Sequence, residues 1–432
     1  MKKAAVATLG CKVNQVESGA IIEQLSELGY AIVDFDQPAD LYIINTCTVT
    51  SRTDFKSRSL IRQAIRHKEH NPDVKIIVTG CYAQKEPQEI SALEGIDLVV
   101  DNQAKIDVSQ WLDNASYRFQ DIMIADEMPW KPIKSIHEHT RAFLKIQDGC
   151  DYFCSYCAVP YGRGPSRSLD FGMVIKQAEL LVQNGYKEIV LSGVNLGLYR
   201  DIKANKDLSD VLKALDEMNG LNLLRISSIE PDLWTDELIR SIQSSGKVCP
   251  HFHIPLQSGS DSVLHRMGRR YQSDLVSKLI EKLRAAKADC AIGLDVISGF
   301  PGETDAEYEQ TIDFLNRLKP SYLHVFSYSK RKGTQAAEMS DQVHGETVKR
   351  RVGRLTTLSN AFKNDYKLAL IDNQTKLKGI VEKASKGWAS ALSDHYIRIY
   401  ARSIDLKEND IVECKAESLY KDGILLRTPD RD

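Results

Sequence analysis

Short apolar, β-branched runs alternate with helical patterns through the first hundred residues. The runs AAVATLG, LYIINT, KIIVTG and DLVV predict strands, while ESGAIIEQLSELGY, KSRSLIRQAIRHKEH and QEISALEG space their apolar positions as helices do. Strand and helix in this rhythm predict an α/β domain with a parallel sheet over residues 1–115. Across residues 116–140 the pattern lapses, with Pro129, Pro132 and mixed charges, and reads as a linker.

A second alternation runs over residues 141–345. AFLKIQ, EIVLSG, LLRISSIE, HFHIPL, AIGLDVIS and YLHVFSYS read as strands, most of them followed by helical segments such as MVIKQAELLVQNG and SDLVSKLIEKLRAAK. Thr304-Asp305-Ala306-Glu307 supplies a capping box for the last helix, DAEYEQTIDFLNRL. Six β/α units predict a sheet curved part-way to a barrel, with ligands at the C-terminal ends of its strands. A basic helix over 346–369 leads to KLKGIVEK, WASALS, YIRIYARS, DIVECKAESLY and GILLRTP, a small all-β domain over 370–432.

Composition narrows the class without fixing it. In 432 residues, 42% are hydrophobic and 27% charged, as in soluble globular chains. The net charge of −2 leaves nucleic-acid binding to local patches. No apolar run reaches the roughly 20 residues a membrane span needs, and the start reads straight into a strand, so a cytoplasmic protein without a membrane partner is expected. Nine cysteines in such a chain point to metal or redox chemistry rather than disulfides. Cys249, Cys290 and Cys414 stand alone in apolar surroundings and read as small core residues.

The stretch QDGCDYFCSYC sets Cys150, Cys154 and Cys157 in a C-x3-C-x2-C loop after a strand. Structural zinc takes four ligands, usually two separated pairs, and catalytic zinc usually mixes histidine or carboxylate with cysteine. A zinc site short of one ligand stays open as a reading, but three thiolates suit a cubane with one free iron better. Other strand ends suit a bound cofactor: Gly193 lets backbone approach it, and Asn195, Ser227, Glu230, Gln257 and Ser258 offer polar groups.

With Tyr156 before its last cysteine, this loop resembles that of the radical S-adenosylmethionine (SAM) enzymes. The resemblance implies a [4Fe-4S] cluster whose open iron chelates SAM, with Tyr156 and the strand-end residues around it. One electron then cleaves SAM to methionine and a 5′-deoxyadenosyl radical, so no side chain is expected as catalytic acid or base. Arg163 and Arg167, just after the loop, are candidates for the SAM carboxylate or the substrate.

Cys11, Cys47 and Cys81 each follow an apolar strand run, in VATLGC, YIINTC and IIVTGC. Parallel strands joined by helices end on one edge, so these three are expected to converge. LGCKVNQVES, INTCTVT, TGCYAQ, RAFLKIQDGCDYFCSYCAVPYGRGPSRS and IPLQSGSDSVLHRMGRRY together resemble the methylthiotransferases over essentially the whole chain. That likeness implies a flavodoxin- or Rossmann-like N-terminal domain, a partial (β/α)6 radical SAM barrel and a TRAM-type β-barrel. It implies two [4Fe-4S] clusters, the second on Cys11, Cys47 and Cys81 and concerned with sulfur, together with a low-potential electron donor and a sulfur donor.

LGCKVNQ, rather than a GCQMN-type start, resembles most the branch acting on threonylcarbamoyladenosine. The implied partner is tRNA, at adenosine 37 of the anticodon stem-loop; isopentenyladenosine-37 or a ribosomal-protein aspartate are the alternatives. Arg58, Arg62 and Arg66 recur along one helix face and are candidates for gripping phosphates, beside Arg52 and Lys56. Basic triplets at 330–332 and 349–351, and Trp388, Tyr396 and Tyr400 among basic residues, fit RNA stacking. A non-catalytic RNA-binding protein with structural zinc is the competing class. It leaves two three-cysteine sets unexplained.

Overall fold

The computed structural model describes residues 1–112, 116–134, 140–403 and 405–427. Five parallel strands form the first sheet in the order Ala31–Ile32, Lys3–Thr8, Leu41–Thr46, Lys75–Gly80 and Leu98–Val99. By position along the chain this is 2-1-3-4-5, the doubly wound order of flavodoxin-like domains. Apolar residues cover both faces, with Tyr42, Ile44 and Val78 on one and Ile43, Ile77 and Trp111 on the other. Burial on two faces is why these strands read as continuous apolar runs.

The helix expected from Glu17 begins at Lys12 and runs to Glu27. Its first turns bury polar Asn14, Glu17 and Ser18, so an apolar pattern does not mark them. QEISALEG is helical only over Pro87–Ser91. The supposed linker carries one 3₁₀ turn, Ile122–Ile124, and is pinned to its surroundings by buried Ile122 and Ile133. Residues 113–115, where the first expected boundary falls, and 135–139 of the linker lie outside the described residues.

All six expected barrel strands are present and parallel, in two hydrogen-bonded sets of three. Ala142–Lys145, Glu188–Ser192 and Leu223–Ile226 make one; His251–Gln257, Ala291–Ser298 and Tyr322–Ser327 make the other. A single bridge, Leu224 to Val248, and the Ile229 amide on the His253 carbonyl at 3.4 Å join the two across a seam. The capping box at Thr304 and Glu307 opens the helix Asp305–Leu318 as the pattern requires.

One helix, Gly345–Asp372, leads to a closed five-stranded barrel of Lys376–Ser385, Trp388–Ser393, Arg398–Arg402, Gly423–Leu426 and Ile411–Tyr420. Cys290 packs in the large central core, Cys249 where that barrel meets Ile380 and Ile411, and Cys414 against the small barrel's interior. Each serves as a small apolar side chain. No helix among the described residues is long and apolar enough to cross a membrane.

Candidate active site

Strand register sets the first group of cysteines. Thr8 pairs with Asn45 and Thr46 with Gly80, so adjacent strands end level. Cys11 and Cys47 follow the two strands that flank the point where strand order reverses, the place where such sheets bind ligands. Gly10, at φ +103°, sits so close that a Cβ would stand 2.8 Å from both Cβ and Sγ of Cys47. Gly80, at φ +96°, lies against Thr46, whose carbonyl oxygen a Cβ would approach to 2.3 Å. Glycine alone permits both approaches. Asn14 Nδ2 donates to the carbonyls of Leu9 at 2.6 Å and Thr46 at 3.0 Å, and Thr46 Oγ1 donates to Thr79 O at 2.6 Å. Cys47 and Cys81 are buried and Cys11 is exposed. Burial, then Cys81 and Cys11 beside it, pushes the Cys47 thiol up to about 11.

Behind Cys81 lies a buried charge network that joins this domain to the barrel. Arg163 Nε donates to Cys81 Sγ at 3.1 Å, and its Nη1 and Nη2 meet Glu17 at 2.5 and 2.9 Å. Lys105 and Lys145 also pair with Glu17, while Lys145, Arg163 and Arg167 surround Asp148. Burial favours neutral carboxyls here, but Arg163, Lys105 and Lys145 hold Glu17 down at about 2, and Asp148 is held further below the usual range. Two carboxylates thus face four cations. The surplus positive charge suits an anionic group on the Cys81 side.

The C-x3-C-x2-C loop is anchored along its length. The amide of Cys150 donates to Gly164 O at 3.1 Å and that of Ser155 to Met267 O at 2.9 Å, while Tyr152 Oη donates to Asp232 at 2.7 Å. Arg269, with a side chain 2% exposed, donates to Cys154 Sγ at 3.1 Å and Tyr156 Oη at 3.3 Å and pairs with Glu230. Burial drives Cys157 up to about 12, with Cys154 adding to it, and burial likewise raises Cys150. Thiols that resist ionising in place are what a metal group would deprotonate on binding.

Both triads open on one cavity of about 620 Å³. Tyr156 of the cysteine loop and the strand-end residues Gly193, Asn195, Ser227, Glu230 and Gln257 line it. Ser258 does not: its buried hydroxyl faces Thr311 at 3.2 Å and accepts from the Ser260 amide, closing the turn. Asn195 Nδ2 lies 3.8 Å from Cys150 Sγ, and the buried oxygens Asn195 Oδ1 and Ser227 Oγ have no partner. Unsatisfied polar atoms in a cavity of this size fit a polar ligand of SAM's kind.

Several candidate arginines are engaged elsewhere. Arg163 lines the cavity but is held by Cys81, Glu17 and Asn14, and Arg167 is buried on Gln103 and Asp148. Arg58 donates to Tyr82 Oη at 2.6 Å and pairs with Glu89, leaving Arg62 and Arg66 exposed on the helix Ser51–His70. Arg331 and Arg351, from the basic triplets, are buried on Asp54 and Glu303. Tyr396 faces the cavity, whereas Trp388, Tyr400 and Tyr420 form a half-buried cluster with Arg402 and Lys421 over their rings. Sequence reasoning missed Arg269, Lys12, His251, His253 and His324. The two histidines of HFHIPL carried a signal, since alternate residues of a strand share a face.

Among the described residues, no three His, Cys, Asp or Glu side chains gather closely enough to hold a single metal ion. Free thiols, surplus cations and unpartnered cavity oxygens together fit a thiolate-held iron–sulfur cluster with SAM.

Residues 3–101 match the model described as uncharacterized protein family UPF0004, and residues 144–315 match that of the radical SAM superfamily. The chain is 41% identical to the threonylcarbamoyladenosine tRNA methylthiotransferase MtaB of Bacillus subtilis (strain 168), over 99% of this chain and 97% of that one. The chain belongs to the radical SAM methylthiotransferases. Its similarity to the tRNA-2-methylthio-N(6)-dimethylallyladenosine synthase of Endomicrobium trichonymphae is lower, 30% over 96% of this chain and 99% of that one. Among solved structures, the radical SAM methyltransferase TsrM from Kitasatospora setae shares the fold, with a TM-score of 0.59 at 14% identity over 78% of this chain and 77% of that one. As a radical SAM methylthiotransferase, the protein is an enzyme that works with an iron–sulfur cluster and SAM.

Proposed function

We propose that this methylthiotransferase places a methylthio group on C2 of N6-threonylcarbamoyladenosine at position 37 of tRNA. In this reading Cys150, Cys154 and Cys157 hold one [4Fe-4S] cluster, and Cys11, Cys47 and Cys81 hold a second. The observation that carries it is the single cavity shared by the two triads. A base in that cavity meets both sets of thiols without leaving the protein. When bound, the clusters and SAM supply the electron, the radical and the sulfur, and an external low-potential reductant and a sulfur donor renew them.

The side chains bind and orient. Asn195 and Ser227 offer their free oxygens to SAM beside Tyr156, Gly193 and Gln257, and Glu230 stands ready on its Arg269 partner. Arg163 holds the Cys81 side in place. Arg62, Arg66 and the cluster of Trp388, Tyr400 and Tyr420 offer charge and stacking to the anticodon stem-loop. The relatives named for threonylcarbamoyladenosine, more similar than those named for dimethylallyladenosine, support this substrate.

The test is nucleoside mass analysis after incubating reconstituted enzyme, SAM, sulfide and reductant with two tRNAs. One carries threonylcarbamoyladenosine and the other isopentenyladenosine, both without methylthio groups. Product on the first alone is expected. Product only on the second moves the substrate to the other branch, and product on neither, with SAM cleaved, directs the search to a protein aspartate.

A further inference from the structure

Besides the cysteines and the SAM-facing residues, further polar and aromatic side chains line the cavity. His251 and His253 share one face of a barrel strand, Asp295 and His324 come from the next two, and Tyr396 comes from the small barrel. Tyr396 stacks on the His251 ring at 4.3 Å. His251 is 5% exposed, with Nε2 2.7 Å from Tyr322 Oη and Nδ1 without a partner. His253 is held by Ser228 and, at 2.9 Å, by Asp295.

Lys12 reaches into this same cavity from the N-terminal domain. Its ammonium makes no hydrogen bond or ion pair among the described residues. The arginines that act on it are both matched, Arg225 by Glu188 at 3.0 Å and the carbonyls of Ser393 and Asp394, and Arg141 by Glu382 at 3.2 Å. Asp295 is engaged with His253. A lysine ammonium in a cavity wall with no carboxylate paired to it, Glu188 being taken up by Arg225, and with the unpartnered nitrogen of His251 in the same wall, is a place prepared for an anionic group that carries further hydrogen-bonding atoms.

We infer that Lys12 is a specificity-determining residue that pairs with the carboxylate of the threonylcarbamoyl substituent, with His251 and the His253–Asp295 pair facing its ureido and hydroxyl groups. This assignment rests on the reading under Proposed function and names the groups that read the substrate there. The same lysine rejects as well as attracts. A hydrocarbon substituent in its place would cover the ammonium and give it no partner, so a neutral isopentenyl group is selected against by the cost of stranding that charge.

The test measures binding of anticodon stem-loops to reconstituted enzyme. Three loops carry threonylcarbamoyladenosine, its methyl ester, or isopentenyladenosine, and the proteins are wild type, Lys12→Gln and Lys12→Arg. Wild type is expected to bind the acid about tenfold to a hundredfold tighter than the ester. Lys12→Gln should bind acid and ester alike with its iron content unchanged, and Lys12→Arg should recover most of the preference. Equal binding of acid and ester by wild type overturns the assignment, and so does a full preference in Lys12→Gln. Loss of iron in Lys12→Gln overturns it too, by giving the lysine to the cluster. Acid preference without methylthio product would sink the proposed reaction and leave Lys12 its role; product without preference would do the reverse.

Discussion

Arg163, a barrel residue, donates from Nε to the Sγ of Cys81 in the N-terminal domain at 3.1 Å. The same guanidinium grips Glu17 and Asp148. The position of one cysteine triad relative to the other is therefore set by a buried charge network that neither domain owns.

Replacing Arg163 by Met leaves Glu17 with Lys105 and Lys145, and Asp148 with Lys145 and Arg167, but removes the one guanidinium that bridges both carboxylates to Cys81. Breaking a buried pair so that a charge is left alone costs about 3–5 kcal/mol; with three cations still facing the two carboxylates, denaturant unfolding should read a smaller loss. Iron bound at the N-terminal triad should fall while SAM cleavage persists. Arg163→Lys should rescue little, because a point charge cannot serve Cys81, Glu17 and Asn14 together.

The two triads should separate by function. Cys154→Ala is expected to abolish SAM cleavage. Cys47→Ala should leave cleavage largely intact and stop sulfur insertion. Methylthio product from Cys47→Ala would remove the role given to the first domain.

Trp388 stacks on Tyr420 at 5.0 Å, with Arg402 5.1 Å from its ring centroid. Stacking on a base is worth about 1–3 kcal/mol, so Trp388→Ala should weaken tRNA binding roughly fivefold to a hundredfold. SAM cleavage without tRNA should not change. The salt dependence of binding should flatten for Arg62→Gln with Arg66→Gln, and not for Trp388→Ala.

Acid should loosen the join between the first two domains. The Glu17 carboxyl is held at about 2 in the folded protein against an ordinary 4.5. The unfolded chain takes up the proton first, so the stabilisation is full above about pH 4.5 and drains away towards pH 2. Asp148 acts in the same sense. Urea unfolding of the apoprotein should show its midpoint falling below about pH 4.5. Glu17→Gln should be weaker at neutral pH and lose less on acidification; an unchanged acid slope would assign the effect elsewhere.

Much of this was legible in the sequence because strands announce themselves. YIINTC and IIVTGC fix a strand and the residue that leaves it, and parallel pairing does the rest, so the convergence of Cys47 and Cys81 needs no further information. Side chains that work across domains were not legible. Arg269 stands one residue from an arginine with a different task, on Tyr152, and nothing local separates them. Arg58 matches Arg62 and Arg66 in spacing, yet Tyr82 and Glu89, from a neighbouring segment, remove it from the exposed row. Ser258 shows the same limit on a smaller scale, since a turn claimed its hydroxyl first.

The cavity draws Lys12 from one end of the chain and Tyr396 from near the other. A ribosome delivers the first long before the second, and domains fold as they emerge. The two cysteine-bearing domains can thus be complete while Tyr396, the small barrel's contribution to the lining, is still missing. Iron loaded before then would sit in a chamber that still lacks the ring that stacks on His251. A cluster inserted after the small barrel has folded would meet the chamber with that ring in place.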